Sequence, residues 1–172
     1  MIFFETKLKG AFVIQLEKIE DERGFFTRSW DSKVFEKNGC NSKFVQCNIS
    51  FNNKKGTLRG MHYQEKPHEE AKLVRCTKGS IFDVIVDLRE NSITKNQWVG
   101  IELSENNGKM VYIPEGFAHG FQTLEDNSEV FYQMSEYYFP DLSKGKKWND
   151  PKFLISWPID DPIISKKDEG WE

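Results

Sequence analysis

The chain has 172 residues, a formal net charge of −3 and an aromatic content of 14%. That length suits one domain with an appended arm, and the slight acidity argues against a general nucleic-acid binder, which needs a basic face to displace counterions. Cys40, Cys47 and Cys76 fit no zinc-knuckle spacing. No apolar run approaches the ~20 residues of a membrane span, and no apolar leader opens the chain. A cytoplasmic protein with reduced thiols is expected.

In chain order, Met1–Phe12 reads as a segment able to cover a sheet edge by pairing with a neighbouring copy. Ala11–Leu16 is the first short apolar run. A helix is predicted only over Ser32–Asn38, with Asp31 or Ser32 as its cap and Gly39 at its end. Strands are then predicted at Phe44–Phe51, Ala71–Cys76, Ser80–Leu88, Trp98–Leu103, Met110–Ile113, His119–Thr123 and Glu129–Tyr137. Turn signals separate them at Asn52–Gly56, Lys78–Gly79, Glu105–Gly108 and Glu125–Ser128. Within Ile81–Leu88, the even positions Phe82, Val84, Val86 and Leu88 form an apolar face. Asp83 and Asp87 lie on the other, as a strand's period of two requires. From Pro140 onward, Pro, Asp and Lys increase, which reads as an irregular arm folded back on the rest. The fold class is therefore all-β, a sandwich, jelly roll or small barrel. Residues 1–172 form one domain: an N-terminal strand or arm over 1–30, a core over about 40–138, and a C-terminal arm over 140–172.

The most informative stretch is Gly108–Thr123, GKMVYIPEGFAHGFQT. Its Gly, Pro114, Gly116 and His119 spacing resembles the second signature of the cupin superfamily, with Thr123 where that pattern ends in Asn. A Pro–x–Gly turn would return the chain to a barrel mouth with His119 beside it. The earlier stretch GTLRGMHYQEKPHEEAKLVRC (Gly56–Cys76) sits where the first cupin signature belongs. There His62 is followed by Tyr63 and Gln64, so the His–x–His pair of metal-binding cupins is missing. His68 and Glu70 fall in a charged, Pro-containing stretch that reads as a loop. With three histidines in the chain, a three-ligand catalytic metal site would need all of them, or two and a carboxylate.

His62 stands in a polar setting instead, with Arg59 before it and Lys72 ten residues on. A lone histidine is more often structural, but cations around it imply an anionic ligand. Arg suits phosphate, Lys suits a developing oxyanion, and His suits proton transfer near neutrality.

The chain also resembles the dTDP-4-dehydrorhamnose 3,5-epimerase family along nearly its whole length. The blocks that carry the likeness are DERGFF (Asp21–Phe26), QCNIS (Gln46–Ser50), GTLRGMHYQ (Gly56–Gln64), Ala71–Arg89, IPEGFAHGFQTL (Ile113–Leu124), VFYQMSEYYFP (Val130–Pro140) and WPIDDPIISKKD (Trp157–Asp168). The resemblance implies a cupin-type double-sheet jelly-roll barrel with a short helix and an irregular C-terminal arm. It implies an isomerase acting, without metal or other cofactor, on a nucleotide-diphosphate 4-keto-6-deoxysugar. C3 and C5 would be inverted through an enolate, taking dTDP-4-dehydro-6-deoxyglucose to dTDP-4-dehydrorhamnose for a surface polysaccharide.

By that likeness, His62 would be the base and Asp168 its orienting partner, with Asp83 a weaker candidate for the same role. Lys72 would stabilise the enolate and Tyr132 would return the proton. Arg59 and Arg23 would grip the diphosphate, with Arg23 arriving from the partner of a homodimer with shared active sites. Gln46, Asn48 and His119 would line the sugar and phosphate region, and Phe26 and Tyr138 would pack on the base or sugar. Apart from the likeness, Tyr132 reads as an ordinary strand aromatic and Asp168 as a solvated acid.

One departure stands out: Arg28 occupies the position of a family Glu that recognises the thymine edge, so another nucleotide is an alternative. So is inversion at a single carbon. Two other classes remain as alternatives: a non-catalytic sugar-nucleotide-binding cupin and a metal-dependent cupin oxygenase or isomerase.

Overall fold

A computed structural model describes residues 1–171. One sheet is built from β1 (Ile2–Glu5), β2 (Phe12–Gln15), β5 (Gln46–Asn52), β7 (Lys72–Lys78), β10 (Lys109–Ile113) and β12 (Ser128–Met134). Its six strands run in the order β1-β2-β10-β7-β12-β5. A second comprises β6 (Leu58–Gln64), β8 (Ser80–Asp87), β9 (Trp98–Ser104), β11 (Phe117–Thr123) and β13 (Ser143–Gly145). Its five strands run β13-β6-β11-β8-β9. A separate hairpin joins β3 (Ile19–Asp21) to β4 (Gly24–Phe26). This is the expected all-β, double-sheet, cupin-like barrel.

Ile2 to Glu5 pair antiparallel with Gln15 to Phe12 of the same chain, which makes the N-terminal strand part of the six-stranded sheet and places β1 at its edge.

Apolar side chains fill three layers. Between the sheets lie Val74, Cys76, Ile81, Ile85, Leu103, Val111, Phe121 and Val130. Outside the six-stranded sheet, Ile14, Leu73, Met110 and Tyr112 pack under Phe35, which belongs to α1 (Ser32–Lys37). Asp31 rather than Ser32 caps that helix, its carboxylate accepting from the backbone N–H groups of Lys33 and Val34. Outside the five-stranded sheet, Met61, Val84, Val86 and Ala118 are covered by Phe153, Ile155 and Trp157 of the C-terminal arm.

These layers explain β8. Its even, apolar face is turned out under the arm, while its odd face, Ile81, Asp83, Ile85 and Asp87, points into the barrel; Asp83 and Asp87 are both 0% exposed. Both faces of a central strand are covered, so alternation alone did not say which one saw the interior. The arm is less irregular than its composition suggests. It adds β13 to the sheet edge beside β6 and ends in the one-turn helix α2 (Lys166–Glu169). Gln122 fastens it, donating to the Ile159 carbonyl at 2.9 Å and accepting from the Ile159 N–H at 3.0 Å.

Candidate active site

A cavity of about 560 Å³ opens between the sheets, lined among others by Arg59, His62, Lys72, His119, Tyr132 and Tyr138. A local irregularity in β6 makes this possible. His62 pairs with His119 of β11, but Arg59 pairs with Phe121, so the register shifts by one residue between them. Residues three apart on a regular strand face opposite ways; the extra residue turns Arg59 and His62 to the same side. Glycine permits this. Gly60 has φ +137° and lies so close to β11 that a Cβ on it would sit 2.5 Å from Gly120 Cα.

The bulge also frees a donor. The Gly60 N–H points away from the ladder to Asp168 Oδ2 at 3.2 Å. Asp168 Oδ1 lies 2.7 Å from His62 Nε2 and 3.3 Å from the donating indole nitrogen of Trp171. The Asp168 side chain is 8% exposed, whereas that of His62 is 38% exposed towards the cavity. Burial works to raise the Asp168 carboxyl, but the His62 hydrogen bond and charge, then the Gly60 and Trp171 donors, outweigh it and hold it below the usual carboxylate value. An ionised Asp168 fixes the Nε2 proton of His62, which leaves the other ring nitrogen free to accept.

Lys72 enters from the opposite sheet. Its ammonium lies 2.9 Å from Glu70 Oε1, and both side chains are nearly buried. Glu70 lies, as expected, in the loop between β6 and β7, and from there its side chain joins the cavity wall, with Oε2 lacking a hydrogen-bond partner. Tyr132 faces the cavity from the same sheet. Burial pushes its phenol above the ordinary value, with Arg59 opposing, so it holds its proton at neutral pH. Arg59 itself is braced by Asn52, whose side-chain oxygen accepts from Nε at 2.7 Å.

Asp83 does not orient His62. It serves His119, whose Nε2 lies 2.8 Å from Asp83 Oδ2, so β8 and β11 supply a second imidazole–carboxylate pair beside the first. With each Nε2 engaged by a carboxylate, neither histidine offers that atom to a metal. Among the described residues, no three His, Cys, Asp or Glu side chains converge as a metal-ligand set. His68 joins neither pair; it is stacked on Phe139 and paired with Glu136.

The other expected residues divide between the cavity side and the surface. Gln46 and Asn48 stand on the cavity-facing side of β5, opposite Met134 and Tyr132, but their polar groups are engaged at its edge: Gln46 accepts from the Tyr138 N–H at 2.6 Å, and Asn48 lies against the Met134 sulfur. Arg23 and Phe26 sit at the β3–β4 hairpin, away from this chain's cavity. Arg23 pairs with Asp21 with its side chain 82% exposed, and Phe26 is 66% exposed. Arg28 is a surface residue paired with Asp31 at 3.2 Å. Ser50, Gln64 and Lys167 line the cavity without having been singled out. Lys167 was legible only as the residue beside Asp168.

Among the described residues, no helix is long and apolar enough to cross a membrane. All three cysteines are free, with burial pushing the Cys40 and Cys76 thiols up to about 11.

Comparison with known proteins adds four likenesses. A family model described as dTDP-4-dehydrorhamnose 3,5-epimerase matches residues 5–172. A protein of that description from Methanothermobacter thermautotrophicus is 47% identical, covering 99% of this chain and 92% of its own. The crystal structure of a Bacillus anthracis dTDP-4-dehydrorhamnose 3,5-epimerase with TDP and PPi bound superposes with a TM-score of 0.97 at 42% identity, covering 99% of this chain and 98% of that one. A Legionella pneumophila dTDP-6-deoxy-D-glucose-3,5-epimerase in complex with dTDP-4-keto-L-rhamnose gives a TM-score of 0.92 at 38% identity, covering 97% and 89%.

Proposed function

The chain belongs to the dTDP-4-dehydrorhamnose 3,5-epimerase family, and from that premise we propose how its own residues carry the epimerase reaction. It is an isomerase acting on a nucleotide-diphosphate 4-keto-6-deoxysugar, inverting the carbons on either side of the ketone on the way to dTDP-4-dehydrorhamnose. His62 is the base. Held by Asp168 with one nitrogen facing the cavity, it removes the proton from the carbon beside the ketone and leaves an enolate. The Lys72 ammonium meets the charge developing on the ketone oxygen. Tyr132 then gives its phenolic proton to the other face of that carbon, and Arg59 and His119 hold the diphosphate and sugar.

One observation carries this reading. The imidazole belongs to the five-stranded sheet and the phenol to the six-stranded sheet, so a sugar between them has a proton acceptor on one side and a donor on the other. Inversion at carbon needs that arrangement.

The exposed hairpin and the outward residues of edge strand β5 support a homodimer with shared sites. Ile19 is 70%, Phe25 56%, Ile49 66% and Phe51 47% exposed, and two such surfaces close by pairing across a two-fold axis. In that dimer Arg23 and Phe26 complete the nucleotide end of the partner's cavity, and residues 1–172 work as one domain per subunit. The unpaired thiols fit a reducing cytoplasm. Arg28, engaged by Asp31 at the surface, leaves the thymidine nucleotide as the favoured donor.

The test is deuterium entry from heavy water at C3 and C5 of dTDP-, GDP- and CDP-linked 4-keto-6-deoxysugars. Labelling at both carbons of the dTDP sugar is expected, and labelling at one carbon would narrow the activity. H62A is expected to lower exchange by roughly 10²–10⁴-fold with dTDP binding retained; unchanged exchange would remove His62 from the role of base. R23A is expected to weaken dTDP binding while light scattering still gives a dimeric mass, and a monomeric wild type would overturn the shared site.

A further inference from the structure

Asp168 rides on a helix of one turn, Lys166–Glu169. So short a helix has little stability of its own, and its Ser165 cap, whose hydroxyl accepts from the Asp168 N–H at 3.1 Å, ties it only to itself. Something must fix it against the barrel if the carboxylate is to stay aimed at His62.

Trp171 is placed to do so. Its indole nitrogen donates to Asp168 Oδ1, the oxygen that also holds His62. Its ring stands edge-to-face with the His62 imidazole, centroids 6.4 Å apart. The ring rests on Gly145 of β13, where a Cβ would come within 2.4 Å of three indole atoms. Gly145 is in turn the cross-strand partner of His62. The missing side chain thus makes a slot beside the base, and the indole fills it. Lys167 lies over the same ring at 5.6 Å.

We propose that Trp171, seated in the Gly145 slot, is a positioning residue for the reaction: it docks α2 on the sheet edge and holds the Asp168 carboxylate on His62. The inference rests on the reading of His62 and Asp168 as the base pair. It gives Trp171 a part in catalysis although its side chain stands behind the base rather than in the cavity wall.

The experiment compares W171A, W171F, G145A and the G145A/W171A double variant, with H62A alongside, by kcat for deuterium entry, KM, dTDP binding and melting midpoint. W171A and G145A are each expected to lower kcat by about 10–100-fold, the cost of a small misplacement of a reacting group, with dTDP binding unchanged. W171F keeps a ring but loses the N–H, and is expected to fall between W171A and wild type. G145A is expected to cost little further once the indole is gone, because the three atoms nearest the added methyl all belong to that indole; the double variant should match W171A.

Wild-type kcat in W171A, or a G145A penalty that persists undiminished in the W171A background, overturns the proposal. If W171A melts below the assay temperature, W171F and G145A decide, and wild-type kcat in both overturns it. Wild-type exchange in H62A sinks the base reading instead. Loss of exchange in H62A with none in the Trp171 and Gly145 variants sinks only this inference.

Discussion

Two imidazole–carboxylate pairs stand side by side in this barrel, and the proposed base belongs to the more open one. His62 and His119 are cross-strand neighbours, and their carboxylates lie at nearly equal distances, 2.7 and 2.8 Å. The surroundings differ. The His62 side chain is 38% exposed and that of His119 10%. Asp168 is brought by a terminal helix and receives extra donors from Gly60 and Trp171. Asp83 is fixed in a central strand, fully buried, with Oδ1 left without a partner. A hydrogen-bonded pair is therefore not enough to identify a catalytic base; access of the second nitrogen to the cavity and full satisfaction of the carboxylate make the difference.

The largest expected break of this comparison is D168N. An amide in place of the carboxylate can no longer hold the imidazole in one tautomer, and exchange at both carbons should fall on the order of 10²–10⁴-fold. Binding of dTDP, measured by calorimetry, should change little, since Asp168 lies behind the base rather than against the ligand. D83N sharpens the contrast with a smaller effect of another kind. His119 would lose its orientation as a sugar or phosphate contact, so KM should rise about tenfold while kcat stays near wild type. A kcat loss in D83N as large as that in D168N would show that the two pairs share the proton-transfer work.

The contrast also separates what the sequence could tell from what it could not. The period of two in Phe82, Val84, Val86 and Leu88 identified β8 correctly, and Asp31 with Gly39 framed α1 almost to the residue. Periodicity did not reveal that Asp83 faces the interior, because that depends on the arm's Phe153, Ile155 and Trp157 covering the other face. Nor could spacing reveal that Arg59 and His62 share a side, since it takes a bulge to break the alternation. Asp168 was assigned through family likeness alone: 106 residues separate it from His62, and no local pattern links them. Pro67 and its charged neighbours correctly signalled the loop that holds Glu70, but no local pattern showed that its side chain turns inward to Lys72. The three-residue strands of the β3–β4 hairpin were missed because so short a run carries no alternation.

A third carboxylate gives the comparison a purely structural reference. Asp87 lies four residues beyond Asp83 on the same face of β8 and is equally buried, yet its oxygens are saturated. Arg89 donates through its backbone N–H, Nε and Nη2, and the Ser92 and Thr94 hydroxyls donate at 2.5 and 2.7 Å. Burial opposes ionisation, but the bonds from Arg89, Ser92 and Thr94 prevail and lower the carboxyl from 3.8 to about 2. Its ionised form therefore stabilises the fold above the ordinary carboxylate value, and this contribution, about 2 kcal/mol at neutral pH, is lost as pH falls from near 4 through 2. D87N is expected to lower the melting midpoint by about 4–8 °C at pH 7, and the gap from wild type should close as the pH approaches 2. Exchange kinetics at a temperature where D87N is folded should be unaltered, because the Asp87 bonds fasten the loop after β8 and reach neither histidine. A D87N enzyme that melts normally but epimerises slowly would show that a saturated, buried carboxylate on this strand can still tune the cavity, and would blur the line drawn between Asp83 and Asp168.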